Sequence, residues 1–311
     1  MTRDGTVGTA VVESPAVDSP NGDYRIIPVR HWGRLAAGIV TVALLASIVV
    51  SFARAQIDWS VVGQYFTYHT ILTGFAVTIL LTVIAMVIGI LLGVLVAVMR
   101  LSSNPVVSGI AWLYVWVFRG TPVYLQLLLW FNIALIFPHV GIPGLFSGRT
   151  VDLVTPFIAA ILGLGLNQGA YTSEVVRAGI LSVDEGQGEA AKALGLPSGA
   201  LMRTVILPQA MRVILPPIGN ETIGMLKTTS LASAIGASEV LNESQHIYLV
   251  NNMIMELLLV SAIWYLIAVS VLSIIQYYIE RRFAKGSSSK ALPLTPWQKV
   301  MWFFTNRRSA A

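Results

Sequence analysis

The chain has 311 residues, 55% of them hydrophobic and 11% charged, with a formal net charge of +5 and a mean hydropathy of +0.74, which together exclude an ordinary soluble domain. This length accommodates one transmembrane domain with short loops but not a large soluble catalytic domain as well, so any energy-supplying domain belongs to another chain. The absence of cysteine excludes a disulfide framework, a thiol nucleophile and a Cys-ligated metal, and the small positive charge reads as membrane topology, not nucleic-acid binding.

Residues 1–34 are rich in Pro, Gly, Asp, Ser and Thr and end on Arg25, Arg30 and Arg34, which predicts a disordered basic cytoplasmic tail. Leu35 to Phe52 then reads as a first transmembrane helix over 35–53. A signal peptide is the weaker reading, because Ser51-Phe52-Ala53-Arg54 makes a poor cleavage site. Ile71 to Met99 carries no charge and holds Gly89 and Gly93 at a spacing that admits a second helix closely. Val106 to Phe137 is interrupted at Phe118-Arg119-Gly120-Thr121-Pro122, a combination that predicts a broken helix. Pro156 to Leu181 forms a fourth span. Met211 to Ile235 forms a fifth, disturbed by Pro216, Pro217, Asn220, Glu221 and Lys227, and Leu257 to Ile279 a sixth.

The expected fold is therefore all-α, a polytopic membrane helical bundle of about six transmembrane helices. Basic residues concentrate before Leu35 and after Ile279, so both termini are expected in the cytoplasm, with Arg100 and the stretch 182–208 on the same side. In the tail 283–311, Trp297, Val300, Met301, Phe303 and Phe304 among basic residues suggest a short helix on the inner membrane surface, with a solvated tail as the alternative.

The polar segment from Ser182 to Pro208 is the informative loop. Ser182 with Glu185 three residues on has the form of a capping box, so a helix is expected to start there and carry Ala190, Ala191 and Ala193. It breaks at Gly195, and Pro197 and Ser198 open a second short helix ending near Pro208. Two short helices joined at a glycine make a compact knob suited to another protein's groove, although a structural linker would have the same composition.

Glu189-Ala190-Ala191, then Gly195, Val205 and Leu207-Pro208 resemble the EAA signature of ABC importer permeases. The flanks narrow the resemblance: Phe118-Arg119-Gly120-Thr121-Pro122, Leu166-Asn167-Gln168-Gly169-Ala170-Tyr171 through Glu174, Arg177 and Gly179, and Lys227-Thr228-Thr229-Ser230-Leu231. Together they are similar to the polar amino-acid permeases of the histidine, glutamine, glutamate and arginine type. The resemblance covers about 71–282 and departs from the family in the extra first span, the long tails, Val205 and Pro197. It implies the type I importer (MetI-like) permease fold, a bacterial cell-membrane location and a second permease subunit, identical or similar. It also implies an extracytoplasmic amino-acid binding protein and a cytoplasmic ATPase dimer that holds the ATP and Mg, leaving this chain without a cofactor. By the same resemblance Glu189 pairs with a basic residue of the ATPase, Ala190 and Ala191 fit its groove, and Gly195 permits the turn.

A charged residue at the centre of a span costs about 2.5–3.5 kcal/mol or more, so Glu174, Glu221 and Lys227 should face protein or a water-filled path. Asn167, Tyr171 and Glu174 fall on one helical face. With Asn220 and Glu221 they are candidates to line the solute route, against the alternatives that they pair with one another or that Glu174 is hydrated near the inner surface. Opposed charges there would suit the carboxylate and ammonium of an amino acid. Arg119, Gly120, Thr121, Pro122 and Lys227 read as structural breaks. Neither Lys192 nor Lys227 has the glycines of a phosphate-binding loop, and the histidines at 31, 69, 139 and 246 lack metal-ligand spacing. An ion-coupled secondary transporter of a polar solute is the alternative function.

Overall fold

The computed structural model describes residues 32–54, 57–142 and 146–284; the basic tail and the C-terminal interfacial helix anticipated above fall on residues outside these. The first helix, α1 (Trp32–Arg54), belongs to a separate unit, and its described side chains from Ala36 onward are exposed throughout. Over Ala36–Arg54 it is long and apolar enough to cross a bilayer.

The second unit opens with α2 (Trp59–Phe66), whose first turn is closed by Asp58 accepting from the backbone N–H of Ser60 and Val61. The Ser60 hydroxyl also donates to this carboxylate, at 2.6 Å, and leads in holding its pKa below the usual range. Next comes α3 (His69–Arg100), 32 residues without an interior charge. At 1.5 Å per residue it is roughly 48 Å long, more than a ~30 Å hydrocarbon core needs.

A tight turn capped by Asn104 leads into α4 (Pro105–Gly120), and α5 (Val123–Phe131) follows at an angle of 101°. The break is local chemistry. Thr121, ahead of Pro122, is held extended at φ −112°, ψ 143°, as a residue before proline must be. The carbonyls it frees are taken up by side chains: Gln126 donates to Phe118 O at 2.9 Å and Asn167 donates to the same oxygen at 2.8 Å.

A hairpin of β1 (His139–Ile142) and β2 (Phe146–Arg149), pairing His139 with Arg149, is a small β element inside an otherwise helical chain. The short α6 (Thr150–Leu153) joins it to α7 (Pro156–Leu181), where Thr155 caps the start. Then α8 (Glu185–Ala193) and α9 (Ser198–Leu201) form the knob, and a π-helical turn, Met202–Ile206, runs into α10 (Leu207–Thr228). A 3-10 segment, Thr229–Ile235, precedes α11 (Val240–Asn251) and α12 (Ile254–Ala284).

Two details differ from expectation. The cap of α8 is Asp184, which accepts from Gly186 N–H at 2.8 Å, while Ser182 spends its hydroxyl on Gly179 O at the end of α7. The second knob helix does not stop near Pro208. The π turn's wider bond, from Leu207 N–H to Met202 O, lets the chain absorb Pro208 and continue into α10.

The centre of this unit is α7 against α3. A Cβ on Gly93 would lie 2.6 Å from Thr172 Cβ and 3.0 Å from Ser173 N, and one on Gly89 would strike the Gln168 side chain. The two backbones therefore approach as only glycine permits. Around this seam Leu81, Ala85, Leu127, Ala159, Ala160 and Leu164 form a core with no exposure. Three described helices are apolar and long enough to cross a membrane, and the bent pair α4–α5 makes up to four. The helix α7 is less apolar because polar residues of its inner face are packed against protein: Gln168, Thr172 and Ser173 are all buried.

Candidate functional site

At the break between α4 and α5 lies a cavity of about 580 Å3, lined by Arg119, Gly120, Thr121 and Pro122 of the break, by Asn167, Gln168 and Tyr171 of α7, and by Glu221 and Thr228 of α10. Its polar groups converge because three helices supply them at the same level. On α7, Gln168 donates to Glu221 Oε2 at 2.5 Å, and the Thr172 hydroxyl donates to the same oxygen at 3.2 Å. Glu221 thus has neutral donors but no cation within ion-pair distance among the described residues. The Arg119 guanidinium, also in the lining, lies 5.1 Å from the centre of the Tyr171 ring. The cavity lining therefore carries both a carboxylate and a guanidinium, a complement to a zwitterion.

Glu174, one turn beyond Tyr171, is in a different situation. Arg177 reaches it at 2.8 Å and Arg100 at 3.7 Å, so its charge is already matched by protein. It borders a second cavity of about 480 Å3 with Arg100, Trp112, Trp116, Arg119, Gly120 and Tyr171.

Of the residues singled out for the solute path, Asn167, Tyr171 and Glu221 meet at the first cavity and Tyr171 and Glu174 at the second, whereas Asn220 is exposed and lines neither. Arg119, Gly120, Thr121 and Pro122 are at once the helix break and a cavity wall. Lys227 is exposed in the last turn of α10, just ahead of the change to 3-10 geometry. Sequence reasoning missed Gln126, Gln168, Thr172 and Arg100. Gln126 carried a signal, as the lone amide in Val123–Phe131; Gln168 was passed over because it lies one residue off the Asn167–Tyr171 stripe.

The knob is built separately. Gly195 adopts φ +76°, its N–H donates to Lys192 O at 2.9 Å and Leu196 N–H donates to Ala191 O at 3.1 Å. These two bonds are the Schellman ending of α8, and its left-handed residue is the one glycine serves best. Ala191 is buried in the knob while Glu189, Ala190, Gly195, Leu207 and Pro208 are exposed. Leu194, beside the turn, leaves 80% of its surface open.

Comparison with known proteins agrees with this architecture. Residues 89–285 match the family described as "binding-protein-dependent transport system inner membrane component". The chain is 45% identical over 263 residues to the arginine transport system permease protein of Corynebacterium glutamicum, covering 84% of this chain and 83% of that one. A crystal structure of an amino acid ABC transporter with histidines superposes with a TM-score of 0.64 at 35% identity, over 73% of this chain and all of that one. An inward-facing methionine ABC transporter shares the fold at 21% identity, with a TM-score of 0.51 over 67% of this chain and 91% of that one. The helical bundle, its broken helix and the knob thus belong to an integral membrane protein, and the chain is a member of the family of inner membrane components of binding-protein-dependent transport systems, a permease subunit of an ABC importer.

Proposed function

We propose that this permease carries polar amino acids, with the cavity between Arg119 and Glu221 as the place where the solute rests in transit. The observation that carries this reading is the pair of opposite charges lining one cavity, Glu221 held by the neutral donors Gln168 and Thr172 and Arg119 set over the Tyr171 ring. A volume of about 580 Å3 falls within the ~300–1,000 Å3 of small-molecule sites. The arginine permease of C. glutamicum and the transporter solved with histidines support the same substrate class.

In this reading the chain works with a second permease subunit, identical or similar, an extracytoplasmic amino-acid binding protein and a cytoplasmic ATPase dimer. The ATPase holds ATP and Mg, and this chain has no cofactor or hydrolytic site of its own. By the distribution of basic residues, both termini and the knob are assigned to the cytoplasmic side of the membrane. Glu189 aligns the knob on the ATPase, and Ala190 and Leu194 supply apolar contact. An exposed ion pair is worth only ~0–1 kcal/mol, so Glu189 sets geometry while packing supplies affinity. The ion-coupled alternative has no observation in its favour.

The test is reconstitution of the complex with its ATPase and binding protein, and measurement of ATP hydrolysis against a panel of polar amino acids for wild type and Glu189→Lys. Stimulation by one class of amino acid, lost in the variant, is expected. ATP hydrolysis indifferent to every amino acid would overturn the substrate assignment.

A further inference from the structure

The two cavities share three residues, Arg119, Gly120 and Tyr171, and differ in everything else. The first continues to Glu221 and Thr228; the second continues to Arg100, Trp112, Trp116 and Glu174. Between Asn167 and Glu174 the helix α7 advances by roughly 10 Å, toward the end that leads into the knob. The second cavity thus lies farther along the same helix, and the two meet at the shared Arg119, Gly120 and Tyr171, where the Arg119 guanidinium sits over the Tyr171 ring, 5.1 Å from its centre.

We propose that the Arg119–Tyr171 pair is a gate between two successive amino-acid sites, the second being an inner vestibule lined by Arg100, Trp112, Trp116 and Glu174 that receives the solute before release. This inference rests on the amino-acid reading above and adds a second compartment and the contact that closes it. The chemistry of the vestibule suits a departing zwitterion. Arg119 offers a guanidinium group to a carboxylate. Trp112 and Trp116, stacked at 6.1 Å and each more than half exposed, offer aromatic faces to an ammonium or guanidinium. Glu174 is already matched by Arg100 and Arg177, so no bare carboxylate is left to hold a cationic solute there. The outer cavity, where Glu221 has no arginine within ion-pair distance, therefore holds solute more firmly than the vestibule, as a route leading outward to inward requires.

The gate is weak by construction. A cation–π contact at a partly wetted site is modest, so it can open each cycle. Its removal should raise the open population, and with it the passive leak of solute, by about five- to tenfold.

The experiment uses proteoliposomes holding the whole complex and loaded with radiolabelled L-arginine, L-histidine or L-glutamine. Efflux without ATP is followed for wild type, Tyr171→Phe, Tyr171→Leu and Arg119→Met, with assembly of each complex checked by size-exclusion chromatography. Wild type and Tyr171→Phe, which keep an aromatic ring under the guanidinium, should retain solute. Tyr171→Leu and Arg119→Met, which each lose one half of the pair, should both leak. An assembled Tyr171→Leu or Arg119→Met complex as tight as wild type would overturn the gate. A leak from Tyr171→Leu alone would overturn it too, because ring bulk and not the pair would then be the seal. Wild type that imports none of the three amino acids with ATP would instead defeat the underlying amino-acid reading, and the gate with it.

Discussion

Gln168 and Glu221 are 53 residues apart in sequence, yet the amide nitrogen of one lies 2.5 Å from a carboxylate oxygen of the other. This bond ties α7 to α10 at the edge of the cavity and holds a carboxylate in its lining through a neutral donor. A hydrogen bond to a charged group contributes about 1.5–3 kcal/mol. Glu221→Gln keeps the shape but removes the charge. We expect amino-acid-stimulated ATP hydrolysis and uptake to fall by roughly ten- to a hundredfold, with membrane insertion and ATPase association unchanged. Normal uptake by this variant would exclude Glu221 from solute binding.

The seam between α3 and α7 makes a prediction about stability. A side chain at Gly93 meets Thr172 and Ser173, whereas one at Gly109 meets nothing within 4 Å. Overpacking typically costs about 1–3 kcal/mol. Thermal unfolding in detergent should therefore show Gly93→Ile lowered by several degrees or failing to assemble, and Gly109→Ala at the wild-type value.

Gly195 is tested by its φ of +76°. A β-branched residue there pays about 1–2 kcal/mol for the left-handed conformation, enough to open the Schellman ending of α8 and misdirect Leu194. Gly195→Val should lose co-purifying ATPase while still inserting in the membrane. Gly188→Ala, placed mid-helix with nothing within 4 Å of its Cβ, should bind the ATPase as wild type does.

Far from the knob, Glu239 is fully buried. Its carboxylate accepts from Leu241 N–H at 3.0 Å, Asn242 N–H at 2.7 Å and the Tyr265 hydroxyl at 2.6 Å. It caps α11 and fastens it to α12 in one step. Glu239→Ala should cost about 2–3 kcal/mol, the sum of a cap and an orphaned donor. Tyr265→Phe, which removes one of the three donors, should cost about 1 kcal/mol. Equal unfolding temperatures for the two variants would contradict this division.

How far the sequence reached can be read at particular residues. The helix Pro156–Leu181 was legible to its ends because Pro156 and the Ser182 boundary punctuate an otherwise continuous pattern. The break at Thr121-Pro122 was legible because proline chemistry is local. The helix Val240–Asn251 was not assigned from the sequence. Asn242, Glu243, Ser244, Gln245 and His246 give it no apolar periodicity, and it is held by a buried carboxylate and by Thr78, whose hydroxyl accepts from Val240 N–H. At the site, the stripe Asn167–Tyr171–Glu174 was visible from helical spacing. That Glu174 is matched by arginines while Glu221 is not depends on which helices lie alongside, and spacing within one helix carries no such information.

The knob hangs from two rods of unequal stiffness. One is α7, an unbroken helix that carries Tyr171 and joins the knob through Ser182–Asp184. The other is α10, which carries Glu221 and joins it through the π turn Met202–Ile206. If the knob is the ATPase contact, as proposed above, a push on it would reach the Tyr171 side along one unbroken helix and the Glu221 side through the π turn, and the Gln168–Glu221 bond is the direct link between the two helices that would bear the difference.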